Sequence, residues 1–389
     1  MAEHIGQRIA ARRRARRMTQ GDLAREAHVS LPMVKACERG VRSPSPSTLE
    51  AIASALGVDA SRLDSSYVGT SRSVHAVLPA ISATIAGYEL ALEPAGRPLG
   101  QLRNDTDVAV GWRLAAQYGL IAKEAPGLLA DALAHLHSAS GAHIKEAAGI
   151  VVAAARTADA VAYKFGAHDL SARLIDVMRW AAAQSEDPDL NACVAYVRAE
   201  TFLAARTHRV GHIALQTALD EVPAPDTVRS TATLGALHMR TAVVAARAGR
   251  ADAAYSHLNE SRTLARGLPE GIYLGTSFGP SSVRIHEVAV SVSLGRDHIG
   301  RALDVARAWS PGAGIPAERR SGFWIEVARA QLWSGNPDEA FNCLQEARKH
   351  APQHVREHPW AREDIGKIRR LKRAPAESLT SYAEWIGAV

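Results

Sequence analysis

Apolar residues recur at every third or fourth position along most of this chain, and no run alternates apolar with polar as a half-buried strand would. The pattern predicts helices throughout. The first units are short. Thr19-Gln20-Gly21-Asp22 has the form of a capping box, with Thr19 at the N-cap and Asp22 at N3, and Leu23, Ala24 and Ala27 give the following helix one apolar face. His28-Val29-Ser30 interrupts the rhythm. Ser30 is placed to cap a second helix, Leu31–Arg39, which tolerates Pro32 in its first turn and is closed by Gly40. A third unit runs from Pro46-Ser47 through Leu49, Ile52, Ala53 and Leu56 to a stop at Gly57, and a short last turn covers Ala60–Leu63.

The texture then changes. Within residues 66–98, Ser65-Ser66, Gly69-Thr70-Ser71, Pro94, Gly96 and Pro98 bracket one predicted helix at about Val77–Ala91, which reads as a linker with a docking helix. From Leu99 to residue 389 the pattern is helix after helix. Breaks recur at Gly166, His208, Gly249, Gly295 and Gly335, at intervals of 40 to 46 residues. An alanine-rich stretch precedes each break and an amphipathic one follows it, which predicts an α-solenoid of about five stacked helical pairs. The fold class is all-α, in three segments: 1–65, 66–98 and 99–389.

Composition agrees and adds a direction. With 47% hydrophobic and 22% charged residues the chain is expected to fold, and only 5% aromatics alongside abundant alanine favours helix over sheet. Residues 1–65 hold 11 basic against 7 acidic side chains, while the remainder holds 35 against 33. Most of the net +6 therefore sits in the first sixth of the chain, where Arg12–Arg17 places five arginines in six positions. A basic domain joined to a nearly neutral one points to a partner that is negative at one end only, for which double-stranded DNA is the natural candidate. Cys37, Cys193 and Cys343 are far apart and suggest neither a disulfide framework nor a CxxC metal site. Arginines begin at Arg8 and no apolar run approaches 18 residues, so neither a signal peptide nor a membrane span is expected, and a cytoplasmic location is.

Two small helices joined by a three-residue break and flanked by others form the helix-turn-helix plan. Thr19-Gln20, Leu23-Ala24, Val29-Ser30, Val34, Glu38-x-Gly40, Ser43-Pro44, Leu49, Ile52-Ala53 and Leu56-Gly57-Val58 resemble the phage-repressor-like (XRE-type) helix-turn-helix family over about 60 residues. That resemblance implies a five-helix lambda-repressor-like domain. Leu31–Arg39 would be the recognition helix in the major groove, with Ser30, Leu31, Pro32, Lys35 and Ala36 on its outer face. Lys35 could donate to guanine and Leu31 could meet a thymine methyl. Arg16, Arg17, Arg39 and Arg42 suit phosphates, and the resemblance makes Gln20 an anchor for a phosphate or a base edge. It also implies a partly buried ion pair between Arg13 and Glu38. Two positions depart from the family pattern: His28 stands where glycine is common and must take a positive φ, and Arg12 stands where an apolar residue is common.

In the last pair, Trp324, Ala328, Gly335, Ala340, Leu344, Ala347 and Pro352 match tetratricopeptide positions. The whole chain resembles actinobacterial-type regulators that join an XRE-type domain to a tetratricopeptide-like sensor. Val161-Ala162-Tyr163-Lys164-Phe165-Gly166-x-His168-Asp169-Leu170 carries this likeness, with Phe278-Gly279-Pro280, Ile285-His286, Val288, Glu318-Arg319-Arg320 and Glu357-His358-Pro359. The architecture is also similar to peptide-pheromone-sensing regulators, whose solenoid holds the signal on its concave face. The concave face is lined by the first helix of each pair, which makes Tyr196, Arg198, His238, Arg240, Arg284, His286, Trp324 and Glu326 candidates for holding a peptide or small-molecule effector.

Catalytic and metal patterns are missing from the sequence. His286-Glu287 lacks the second histidine of HExxH, and GxxxxGK and a strand-borne GxGxxG are not found. His354/His358 and His208/His212 have i, i+4 spacing, but prolines bracket the first pair, a turn splits the second, and no cysteine or acid completes a ligand set. No enzyme activity, metal or cofactor is expected. The reading is a homodimeric DNA-binding regulator controlled through its solenoid. The alternative is a DNA-tethered scaffold that recruits a partner protein without a small ligand.

Overall fold

The computed structural model describes residues 4–44, 46–58, 60, 63–64, 70–90, 94–371 and 377–388. Among the described residues the chain is all-α except for one two-stranded hairpin. Four helices open it: α1 (Ile5–Ala15), α2 (Gln20–Glu26), α3 (Leu31–Glu38) and α4 (Pro46–Ala55). Their core of Ile9, Leu23, Ala24, Val34, Cys37, Leu49 and Ile52 is separate from the apolar clusters of the rest of the molecule. The expected turn at Ala60–Leu63, and the boundary at residue 65, fall partly outside the described residues.

The docking helix, α5 (Thr70–Thr84), begins about two turns earlier than the sequence suggested. Val74, Ile81 and Ile85 are buried in the solenoid's own core, and α5 packs on α7, so burial of this stripe rather than the Ser/Gly punctuation sets its span.

Six helical pairs follow. They are α6 (Leu99–Leu114) with α7 (Tyr118–Ser138), α8 (His143–Lys164) with α9 (His168–Ser185), and α10 (Pro188–Ala204) with α11 (His208–Glu221). Then come α12 (Val228–Arg247) with α13 (Ala251–Leu264), α14 (Pro280–Leu294) with α15 (Ile299–Ala308), and α16 (Ala317–Trp333) with α17 (Pro337–His350). Helices α18 (Pro352–Glu357), α19 (Pro359–Leu371) and α20 (Glu377–Ile386) cover the last pair. Helix α6 of the first pair meets α16 of the last, so the superhelix curls round on itself.

One local device makes most of the turns. A residue at positive φ ends the first helix, and the next N–H reaches back five residues to a carbonyl, the Schellman bond. This happens at Ala116 (Gln117 N to Trp112 O, 2.8 Å), Gly166 (Ala167 N to Ala162 O, 2.8 Å), Arg206 (Thr207 N to Phe202 O, 3.0 Å), Gly249 (Arg250 N to Ala245 O, 2.9 Å) and Gly335 (Asn336 N to Gln331 O, 3.0 Å). Ala116 explains why the sequence suggested about five pairs: the first turn has no glycine to mark it. Arg206, not His208, carries the left-handed backbone of the third.

The sequence suggested no strands, but β1 (Gly271–Tyr273) and β2 (Thr276–Phe278) form an antiparallel hairpin between α13 and α14. Three residues per strand are too few to show alternation. Leu274 and Gly275, both at positive φ, make its two-residue turn. Phe278 is fully buried against Gly235 of α12, where an added Cβ would come within 2.0 Å of the ring.

The N-terminal domain rests on the far end of the solenoid. Gln353 of α18 donates to Glu50 of α4 (3.2 Å). Beside this contact lies a cleft of about 560 Å³, with Arg16, His28 and Gly57 on one wall and Arg348, Lys349 and Tyr382 on the other.

Candidate nucleic-acid interface and buried cavity

Caps and one tight crossing build the N-terminal domain. Thr19 Oγ1 accepts from Asp22 N (3.0 Å) and Thr19 N donates to Asp22 Oδ2 (3.0 Å), so the capping box forms. Hydrogen bonds from Thr19 and then Arg25 hold the Asp22 carboxyl down, to about 2. His28 takes φ 52° in the break, and Val29 N returns to Ala24 O (3.0 Å). Ser30 Oγ accepts from Met33 N (3.3 Å) to start α3, and Gly40 at φ 72° ends it. Gly6 lets α1 cross α3, since a Cβ there would lie 2.1 Å from the Cys37 carbonyl oxygen. A second capping box, at His4, starts α1. The sequence reading named neither Gly6 nor His4.

The Arg13–Glu38 pair is present. Arg13 Nε donates to Glu38 Oε1 (2.6 Å), Nη2 to Oε2 (2.9 Å) and Nη1 to the Met18 carbonyl (2.8 Å). The side chains are 11% and 6% exposed. Gln20 Nε2 also donates to Glu38 Oε2 (2.7 Å). Burial works against the Glu38 charge, but the bonds from Arg13 and Gln20 outweigh it and hold its carboxyl below the usual range.

This network fixes α3 so that Ser30, Leu31, Pro32 and Lys35 are exposed along its outer face, with Ala36 half-buried at the edge. Arg17, Arg39 and Arg42 are exposed beside it, Arg39 Nε lying 3.2 Å from the Lys35 carbonyl of its own helix. Two of the expected DNA contacts are differently engaged. Arg16 Nη1 donates to Ala55 O (2.9 Å) at the end of α4, on the cleft side of the domain. Gln20 is tied to Glu38.

In the solenoid, a cavity of about 170 Å³ lies among the first helices of the pairs. Its lining is almost entirely charged or phenolic. Arg113 comes from α6, Arg156, Asp159, Tyr163 and Lys164 from α8, Tyr196 and Glu200 from α10, Arg240 from α12, Glu318 and Arg319 from α16, and Tyr118 from the start of α7. The hairpin tip takes bonds from two of these arginines. Arg113 Nη2 donates to Gly275 O (2.6 Å) and Arg156 Nη1 to Leu274 O (2.8 Å), where Cys193 Sγ also donates (3.4 Å). Arg319 Nη2 donates to Tyr196 Oη (2.8 Å), and the Arg240 guanidinium lies 4.1 Å above the Tyr196 ring. Burial opposes ionisation of that phenol, yet Arg240, Arg319 and Arg156 bring it down to about 8. Burial, then the neighbouring Glu200, pushes the Asp159 carboxyl far up, against the bond it accepts from Ser171 Oγ (2.5 Å). Burial likewise opposes the Glu318 charge, but Lys164, His354, Arg319 and Arg113 hold its carboxyl well down.

Of the eight effector residues suggested by sequence, the structure brings Tyr196 and Arg240 into this cavity. It does not bring in the other six. Arg198 lies over the Phe202 ring in a groove of α9, α10 and α11. His238 pairs with His257 (3.0 Å). Arg284 stacks on Trp309. His286 donates from Nδ1 to Ser282 O (2.9 Å), and burial presses its imidazole down to about 3. Trp324 packs edge-on to Phe323. Glu326 sits near Arg247 and Arg329, where burial raises its carboxyl to about 8. First-helix position alone does not choose among turns of a helix. A better signal was there: Arg156 and Asp159 interrupt the small apolar run of α8, where a charge has no business unless something meets it.

Comparisons with known proteins bear on the N-terminal domain. Residues 4–65 match the family described as "Helix-turn-helix domain". Over 59 residues the chain is 46% identical to the immunity repressor protein of Bacillus phage phi105, a stretch that is 15% of this chain and 41% of that protein. The chain thus spans less than half the length of this relative. Residues 4–65 are therefore a helix-turn-helix domain of the phage-repressor, XRE type. The crystal structure of Bacillus thuringiensis PlcR in complex with the peptide PapR7 and DNA is similar at 13% identity over 68% of this chain and 95% of that one. The TM-score is 0.28, too loose a likeness to carry a structural argument. Among the described residues, no helix is long and apolar enough to cross a membrane.

Proposed function

We propose that this protein is a sequence-specific DNA-binding transcriptional regulator, acting as a homodimer, whose solenoid tunes DNA binding in response to a ligand. One observation carries the reading: a repressor-type helix-turn-helix core, locked by the Arg13–Glu38–Gln20 network, holds out an α3 face of Ser30, Leu31, Pro32 and Lys35 with Ala36 at its edge. In this reading α3 enters the major groove, Lys35 donates to guanine and Leu31 meets a thymine methyl. Arg17, Arg39 and Arg42 take phosphates. Arg16 and Gln20 act mainly by setting the domain's shape, Arg16 through α4 and Gln20 through Glu38. The buried polar cavity favours a ligand-responsive solenoid over a bare scaffold, because a protein-docking surface gains nothing from charges hidden inside.

The test is selection of binding sequences from random DNA by the purified full chain. An enriched motif with two half-sites about one helical turn apart is expected. Lys35→Ala should cost about 1–3 kcal/mol and relax preference at one base pair, whereas Arg39→Ala should weaken all sequences alike and lower the salt slope by about one. Failure to enrich any sequence overturns the reading.

A further inference from the structure

We propose that the solenoid cavity binds a compact anion bearing at least two negative charges, as carboxylates or phosphate, and not a peptide. The effect of that anion on DNA binding rests on the regulator reading above, but its binding does not.

Three features of the cavity converge. The first is a surplus of positive charge. Lys164 pairs with Glu318 (3.2 Å) and Arg240 lies 3.6 Å from Glu200. Among the described residues, no carboxylate lies within ion-pair distance of Arg113, Arg156 or Arg319, whose side chains bond instead to Gly275 O, Leu274 O and Tyr196 Oη. Guanidiniums do not shed their protons, and several buried together beside neutral acceptors call for a counter-charge.

The second is a set of waiting donors. Among the described residues, Arg113 Nε, Arg240 Nε and the Tyr118 hydroxyl are buried without a hydrogen-bond partner, and Arg113 and Tyr118 are only 8% and 1% exposed. Unsatisfied buried polar groups are rare, and three of them belong to residues that line this one space.

The third is size. A cavity of roughly 150 Å³ takes a molecule about as large as benzene. The 170 Å³ here admits a dicarboxylate or a small phosphate compound and excludes a peptide of several residues. The lining also rejects an apolar signal of that size, because each charged wall group would have to stay desolvated against it.

An anion seated on Arg113 and Arg156 competes with the Leu274 and Gly275 carbonyls, so the hairpin tip is the element it loosens. It also meets Lys164, whose Nζ donates to Nε2 of His354 (3.1 Å) on α18. The preceding residue, Gln353, is the one that holds Glu50 of the DNA-binding domain.

The experiment uses the full chain without DNA. Its thermal midpoint and calorimetric binding are measured with pyrophosphate, citrate and succinate, each against sodium chloride of equal ionic strength. The phosphate and carboxylate arms separate the two chemistries. At least one probe is expected to bind and raise the midpoint. Tyr118→Phe removes a hydroxyl that nothing in the protein uses, so the unliganded midpoint should not fall, while affinity for the active probe drops about tenfold. Arg240→Gln should weaken it at least as much. The proposal is overturned if no probe at 10 mM exceeds its salt control, or if both variants bind as the wild type does. DNA selection on the same preparation, without probes, stands or falls separately.

Discussion

Both halves of this molecule bury arginines, and they do so in opposite ways. In the helix-turn-helix domain Arg13 has three donors engaged, two on Glu38 and one on a carbonyl, and Gln20 completes the carboxylate. In the solenoid, Arg113 makes one bond to a carbonyl and leaves Nε without a partner. A satisfied buried network closes on itself and holds a fold together, whereas an unsatisfied one is open to something from outside. The contrast separates residues that build from residues that wait.

The largest expected effect tests whether the two halves are independent. Phe278→Ala unseats the hairpin from Gly235 and should cost the solenoid about 4 kcal/mol, the usual range for a fully buried phenylalanine. Limited proteolysis should then cut near residues 271–278, while amide exchange in α1–α4 stays unchanged. Glu38→Gln should do the reverse, costing the N-terminal domain about 3 kcal/mol because Arg13 is left buried without its counter-charge. Its amides should lose protection while the solenoid melts as before, and wild-type exchange in α3 would break the contrast.

A third test reads opposite pH dependences. Glu38, with its carboxyl depressed, contributes stability that is present above the unfolded value and is lost as pH falls through the folded one. Glu326 is raised to about 8, so the native state keeps a proton that the unfolded chain releases above about 4.5, and stability falls as pH rises between these values. Glu326→Gln should therefore gain on the wild type by about 1 kcal/mol for each pH unit between 5 and 8 in denaturant titrations. A gain independent of pH would remove Glu326 from the account. The smallest effect is the sharpest: Tyr118→Phe should raise unliganded stability by up to about 1 kcal/mol, because it deletes an unpaired buried hydroxyl. A loss would mean that the hydroxyl already has a partner.

The N-terminal domain was legible nearly residue by residue. Caps, helix ends and core positions are local signals, and Thr19, Ser30 and Gly40 each act within one turn of themselves. Even the strained His28 could be read, because the break demands a left-handed residue there. The solenoid was legible as a repeat but not in its count, since Ala116 and Arg206 adopt the turn that glycine advertises elsewhere. The cavity was legible least. It draws on helices separated by more than 200 residues, from Arg113 to Arg319, and only the closing of the superhelix sets them face to face. The hairpin that bonds two of its arginines is too short for any periodicity to betray.

The seam between the two halves has a consequence for how fast and how cheaply the molecule can respond. Among the described residues the N-terminal domain shares no apolar core with the solenoid, and what joins them includes the Gln353–Glu50 bond beside an open cleft. That makes it a compliant joint rather than a weld. Couplings of about 1–3 kcal/mol are the ordinary scale of allosteric communication, comparable to a few polar contacts of this kind. An effect of that strength suffices to swing the N-terminal domain against the solenoid without repacking either core, on the microsecond-to-millisecond scale of hinge motion rather than the slower scale of refolding.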